Sequence, residues 1–369
     1  MDSWQTRQIL AAYRDAETYL IELVAELTRK RAYGTATFHW EQLQDLQRVM
    51  RAARRYLREI ESGATPLVYG SIIDEYTTAY RAGAGEAPTA VPTRAAESLA
   101  LETVEALSAA KYSVLRSVDD TFRRVMRAAT SRALVSGSTN LRAAQQALDM
   151  FADRGIDAFR DSAGNRWSLD SYVDMALRTA RSRAMNAGRI AGMQAAGIDL
   201  VMTSSHPGSS PQCAPYQGRV LALSGPAGPR TVYSPIERRD VTVDVYATMQ
   251  EAIEAGYHHP NCRHVDTAFI PGMKPPVHPE RDGEVYVAQQ RQRQIERHIR
   301  RWKRRKAAAL TPETEGRADS RIAYWQAEQR AHLDSHKILT RRYDREQVRR
   351  GVRGRSKRPW IGARGTSEN

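Results

Sequence analysis

Both cysteines of this 369-residue chain, Cys213 and Cys262, lie between Ser205 and Gly272, together with four of its nine histidines, His206, His258, His259 and His264. Two thiolates and two imidazoles make a complete donor set for a tetrahedral ion such as zinc. His206, Cys213, Cys262 and His264 are the residues that would supply it. Neither half of the set has CxxC or HxxxH spacing. Cys262 and His264 stand two apart, which puts them on one side of an extended segment. The same groups could equally serve loop and core hydrogen bonds. No obvious general base stands beside them, which favours a structural over a catalytic zinc. The expectation is no cofactor, with a structural zinc as the alternative at this cluster.

Two catalytic schemes use nearby residues. The run HHPNCRH, from His258 to His264, looks like the loop of a His-metal-finger nuclease. That chemistry needs a general-base His, an Asn to hold it and a metal-binding His on a following helix. The segment that follows reads as strand instead. Arg178 and Thr179, then Thr203 to Ser205, then Glu251 and Glu254 follow the Arg/Ser-Thr-Ser/Glu order of ADP-ribosyltransferases. The two glutamates are three apart on a helix, however, where that site has them two apart on a strand edge. The expectation is a non-enzyme. The alternative is a metal-dependent nuclease or an ADP-ribosyltransferase-like enzyme.

Charge supplies a further candidate. The net charge is +14 with a pI near 9.9, which favours polyanionic partners. From Lys274 onward there are 25 Lys and Arg against 12 Asp and Glu, so nearly all the surplus sits in the last quarter. Arg300, Arg301, Lys303, Arg304, Arg305 and Lys306 could contact several phosphates from one helix, giving affinity without sequence specificity. The competing reading of this run is docking to an acidic protein surface. Two cysteines do not form a disulfide scaffold. No apolar run approaches the roughly 20 residues that span a bilayer, and the start MDSWQTRQIL has no apolar signal core. The expectation is a protein made in a bacterial cytosol.

The elements that carry these residues follow from periodicity. Ile9, Tyr13, Ala16, Leu20, Leu23, Val24 and Leu27 recur at helical spacing. A second helix runs from near Phe38 to Ile60, stopped by Ser62 and Gly63. A third runs from Leu67 to Ala82. A Gly/Pro/Ala-rich linker follows, and then helices over 95–109, 112–135 and 140–151. Phe159 and Trp167 flank a predicted hairpin turn over Asp161–Asn165. A long helix from about Ser168 ends at Gly197, with Tyr172, Met175, Ala176, Thr179, Ala187, Ile190 and Ala191 as its buried side. The period then becomes strand-like: IDLVMTSS, RVLALSG, RTVYS and DVTVDVY, a short helix ended by Gly256, and a last strand over His264–Ile270. The end of the chain holds a basic helix, a further helix and an Arg/Gly-rich stretch expected to be disordered. The fold class is α+β, predominantly helical. Its parts are a helical N-terminal region over 1–154, a small sheet-containing cassette over 155–273 and a basic helical tail over 274–369.

With these motifs in order, the chain resembles the tailed-phage minor capsid protein 2 family, related to phage Mu F-type head morphogenesis proteins. The matching stretches are MALRTARSRAMNAG running into GIDLVMTSSHPGSSPQCAPYQGRV, then GYHHPNCRHVDTAFIPG, then YVAQQRQRQIERHIRRWKRR. Ser210 stands where the family pattern has Arg, and Tyr216 where it has Trp. The resemblance implies a virion structural or head morphogenesis protein of the capsid interior or portal vertex, in low copy or oligomeric. Its implied partners are the portal protein, the major capsid or scaffold protein, and packaged DNA, with no membrane.

Overall fold

The computed structural model describes residues 4–32, 38–85, 90–130, 137–154, 157–160, 166–259, 262–274 and 281–348. In chain order the elements are α1 (Trp4–Ala32), α2 (Phe38–Ala84), α3 (Arg94–Thr130), α4 (Gly137–Arg154), β1 (Asp157–Arg160), β2 (Arg166–Ser168) and α5 (Leu169–Ala195). Next come β3 (Leu200–Thr203), β4 (Val220–Ala222), β5 (Gly228–Ser234), β6 (Arg239–Val245), β7 (Ala247–Thr248), α6 (Met249–Glu254), β8 (Asp266–Ala268), α7 (Gly283–Ala307) and α8 (Pro312–Ser335). This is the α+β, mainly helical class that periodicity implies. No helix among the described residues is long and apolar enough to cross a membrane.

The chain forms two compact units, one of Met1–Leu67, Glu105–Asp174 and Arg291–Asn369, the other of Val68–Val104 and Met175–Gln290. The first is helical, apart from β1 and β2, which pair antiparallel as a hairpin. The turn expected over Asp161–Asn165 lies outside the described residues, as do the Arg/Gly-rich end and Asn261. In α1 every residue of the predicted apolar stripe is buried. Helix α2 departs from expectation by running unbroken through Gly63 and Pro66. Leu57, Ile60, Ala64, Val68 and Ile72 are all buried and stay in helical phase across the proline. Packing along that line outweighs a missing donor and a permissive glycine. Leu43, in the first turns of the same helix, is exposed. The expected break near Ala109 is likewise absent, since α3 is one helix with Leu107, Ala110, Val114 and Val118 buried in phase.

In the second unit, α5 packs closely against the end of α2. A Cβ on Gly188 or Gly192 would overlap the carbonyls of Tyr76 and Tyr80. These glycines lie on the buried line with Leu177, Ala180 and Ala184, whereas Ala187 is exposed. The predicted buried side of α5 is therefore rotated, because glycines belong to the face and leave no apolar signal. Arg181 and Glu75 pair at 2.5 Å beside this contact. Gly197, at φ 75°, ends the turn after α5 with the Ile198 amide donating to the Met193 carbonyl.

The sheet that follows has the order β7-β4-β3-β8, with β3 antiparallel to both neighbours and β4 parallel to β7. All four β3 residues are buried, because both faces are covered. Leu200 and Met202 face one cluster with Val243, Val245 and Phe269. Val201 faces the other, with Cys213, Tyr216, Tyr257 and Cys262. The hairpin β5-β6 is antiparallel throughout. The last strand is shorter than its sequence suggests and begins at Asp266, leaving His264 in the loop before it.

Candidate functional site

The loop from β3 to β4 and the loop from α6 to β8 leave the same end of the sheet, since Thr203 pairs with Asp266 and Met202 with Val220. Gly218 and Arg219 close the first loop back onto Thr203. Ser204 ties the two loops: its amide donates to the Val265 carbonyl and its Oγ accepts from the Val265 amide, both at 2.9 Å. Gln217 Oε1 clamps them further, accepting from the His206 amide at 2.8 Å and lying 3.1 Å from His264 Nε2.

Inside this clamp the two sulfurs, Cys213 Sγ and Cys262 Sγ, are 3.6 Å apart. Cys262 Sγ is 3.4 Å from His264 Nδ1. The ligand atoms of Cys213, Cys262 and His264 all lie within 4.8 Å of one another, and all three residues are buried. The hydrogen bond between the thiols holds Cys213 well below the usual thiol range and pushes Cys262 up. The fourth residue named from sequence, His206, lies outside that group. Its ring stacks on His264 at 4.5 Å, and its Nε2 is buried with no hydrogen-bond partner. Burial lowers it to about 4, with the His264 and Arg263 charges adding. His259, which the sequence offered only as a neighbour, places Nε2 2.6 Å from Ser210 Oγ.

A second polar network adjoins the first, and sequence reasoning did not find it. Asp266, 1% exposed, accepts from the Tyr257 hydroxyl at 2.7 Å and lies 2.8 Å from His258 Nε2. His258 Nδ1 lies 3.0 Å from Asn186 Nδ2 on α5. Burial, then the Asp266 charge, pushes the Tyr257 hydroxyl far above its ordinary value. Asp266 was not singled out from sequence, because its contacts depend on how the loops and strands are brought together.

Three residues of the transferase scheme, Thr203, Glu251 and Glu254, hold structural contacts. Thr203 Oγ1 donates to the Tyr216 carbonyl. Glu251 completes the capping box of α6 with Thr248, satisfying the first turn's amides. Glu254 accepts from Gln250 at 3.0 Å on the same helix.

The basic run of α7 meets partners within the helical unit. Arg301 and Arg305 both grip Asp153, at 2.5 to 2.7 Å. Burial raises the Asp153 carboxyl, but these hydrogen bonds outweigh it and hold the group below 3.8. Arg304, 6% exposed, donates to the Ala152 carbonyl at 2.8 Å and lies 3.8 Å from Glu17. Arg300 donates to the Arg345 carbonyl at 2.5 Å, and Lys303 to Gln347 Oε1 at 3.0 Å. Lys306 pairs with Asp319 at 2.7 Å, each side chain about half exposed.

Comparison with known proteins gives this architecture a context. The chain is 27% identical over 237 residues to a structural protein of Lactococcus phage LL-H, covering 61% of this chain and 62% of that protein. It is 39% identical over 71 residues to a structural protein of Lactococcus phage mv4, covering 18% of this chain and 55% of that one. The chain thus spans less than two thirds of the length of the curated relatives it matches. No solved structure matches. The family described as phage minor capsid protein 2 matches residues 2–334, nearly the whole chain, and the protein belongs to that family.

Proposed function

We propose that this chain is a low-copy structural component of the phage head. In this reading it docks on the portal or the inner capsid wall through its helical region and contacts packaged DNA through its basic C-terminal part. The observation that carries the DNA half is charge asymmetry: 25 of the 56 Lys and Arg, against 12 of the 42 Asp and Glu, follow residue 273. The α7 cations reach phosphate only in competition with Asp153, Glu17 and Asp319. Residues 349–369 add seven Lys and Arg against one Glu, so this stretch is the stronger candidate for non-specific backbone contact.

Deleting residues 349–369 tests the DNA half without cutting into α7 or α8, whose Ile295, Ile299 and Ala318 are buried. The full chain is expected to bind duplex DNA of any sequence, with affinity falling steeply as salt rises. The deletion is expected to weaken binding and flatten the salt slope. Unchanged binding would remove DNA contact from the proposal. Co-purification with the portal protein tests the other half, and its absence from portal-containing particles would end it. No reaction is proposed for the chain. Incubation with plasmid DNA and a divalent metal, or with labelled NAD, checks the enzymatic alternative, and turnover in either assay would revive it.

A further inference from the structure

We propose that Cys213, Cys262 and His264 are three ligands of a closed, tetrahedral zinc centre that pins the β3–β4 loop to the α6–β8 loop. A histidine from the same loops, His206 or His259, completes it. The distances fit. With Zn–S bonds of about 2.3 Å and Zn–N bonds of about 2.0–2.1 Å, a tetrahedron has sulfur–sulfur edges of about 3.8 Å and sulfur–nitrogen edges of about 3.6 Å. Here the two sulfurs are 3.6 Å apart, Cys262 Sγ is 3.4 Å from His264 Nδ1, and all three ligand atoms lie within 4.8 Å of one another. A disulfide would hold its sulfurs at about 2.05 Å, and both cysteines are free thiols.

The surroundings suit metal ligands. Gln217 Oε1 is an acceptor placed on His264 Nε2, which puts the ring proton there and leaves the Nδ1 lone pair facing the sulfurs. The backbone amide of His264 points at Cys262 Sγ at 3.4 Å, a contact that stabilises a thiolate. The three residues are 0%, 8% and 1% exposed, as in a structural site that excludes water. Two histidines stand ready to close it. His259 places Nε2 2.6 Å from Ser210 Oγ, in the loop that carries Cys213. His206, stacked on His264, carries a buried ring nitrogen with no partner. Such an atom is costly unless something coordinates it.

The test uses the full chain, purified without chelator from zinc-supplemented cells and assayed for metal by mass spectrometry. About one zinc per chain is expected, with cobalt replacing it to give the intense visible bands of a tetrahedral sulfur-bound ion. Cys213→Ser, Cys262→Ser and His264→Ala should each reduce the zinc content several-fold. One of His206→Ala and His259→Ala should do the same and shift the cobalt bands, and that residue is the closing ligand. If neither does, the four-ligand centre is wrong. Because loss of folding alone would also release the metal, cobalt and zinc binding by the unaltered chain decides the matter. A helical, folded chain that takes up neither ion overturns the proposal. So does thiol titration of the chain, denatured without reductant, that finds Cys213 and Cys262 joined as a disulfide.

Discussion

The cysteine–histidine loops and the basic helix α7 were both singled out by residue type, and the structure treats them in opposite ways. In the loops, groups 49 residues apart, Cys213 and Cys262, meet each other at 3.6 Å. In α7, the cations divide among several acceptors: Arg301 and Arg305 share Asp153, Arg304 turns to the Ala152 carbonyl and Glu17, Lys306 to Asp319 and Arg300 to the Arg345 carbonyl. A cluster in sequence becomes a cluster in space only where the backbone returns the segments to one place. Here antiparallel pairing of β3 with β4 and β8 does so. A helix instead spreads successive residues around its axis, so a run of charge is divided among different neighbours.

The sharpest way to break this contrast is Arg304→Ala. Glu17, 2% exposed, would lose the guanidinium 3.8 Å from its carboxylate in a buried setting. Removing one side of such a pair costs roughly 3–5 kcal/mol, read as a lower urea midpoint. A variant of unchanged stability would show that this cation is dispensable to the fold and free for other work.

The matching change in the loops is Asp266→Ala. It strands the buried Tyr257 hydroxyl and the His258 ring nitrogen. A loss of roughly 1–3 kcal/mol is expected. Tyr257→Phe in that background should then cost little, since the stranded group is gone, and a double-mutant cycle measures the coupling.

Asp153→Asn probes the helix through pH. The carboxyl is held below its ordinary value of 3.8 in the folded chain. Its contribution is therefore fully present above about pH 4 and disappears as pH falls through the folded value. The stability gap between wild type and variant, about 1–2 kcal/mol at neutral pH, should close in acid below that point. A gap independent of pH would assign the effect to packing. The smallest effect is expected at Lys306→Ala. Its pair with Asp319 is about half exposed on both sides, and such pairs contribute under about 1 kcal/mol. Added salt should erase most of it.

Much of this contrast was legible beforehand. The α1 stripe, the Gly197 stop and the strands at Leu200–Thr203, β5 and β6 follow from period and turn residues, whereas the pairing of β5 with β6 was not read. The continuity of α2 through Pro66 was not legible, because tertiary burial decided between two local signals. Nor was the α5 face, since Gly188 and Gly192 act by having no side chain. Thr311 and Pro312 start α8 with a cap and a pre-set first turn. That is a local signal, and a reading from apolar phase alone starts the helix several residues late. At the site, residue type identified the thiols and His264. The contribution of Gln217 and Asp266 came from register, which no spacing along one strand reveals.

X-ray absorption at the zinc edge of the purified full chain addresses the central claim most directly. Two sulfurs at about 2.3 Å and two nitrogens at about 2.0–2.1 Å are predicted. A shell of oxygen and nitrogen alone, without sulfur, would contradict it.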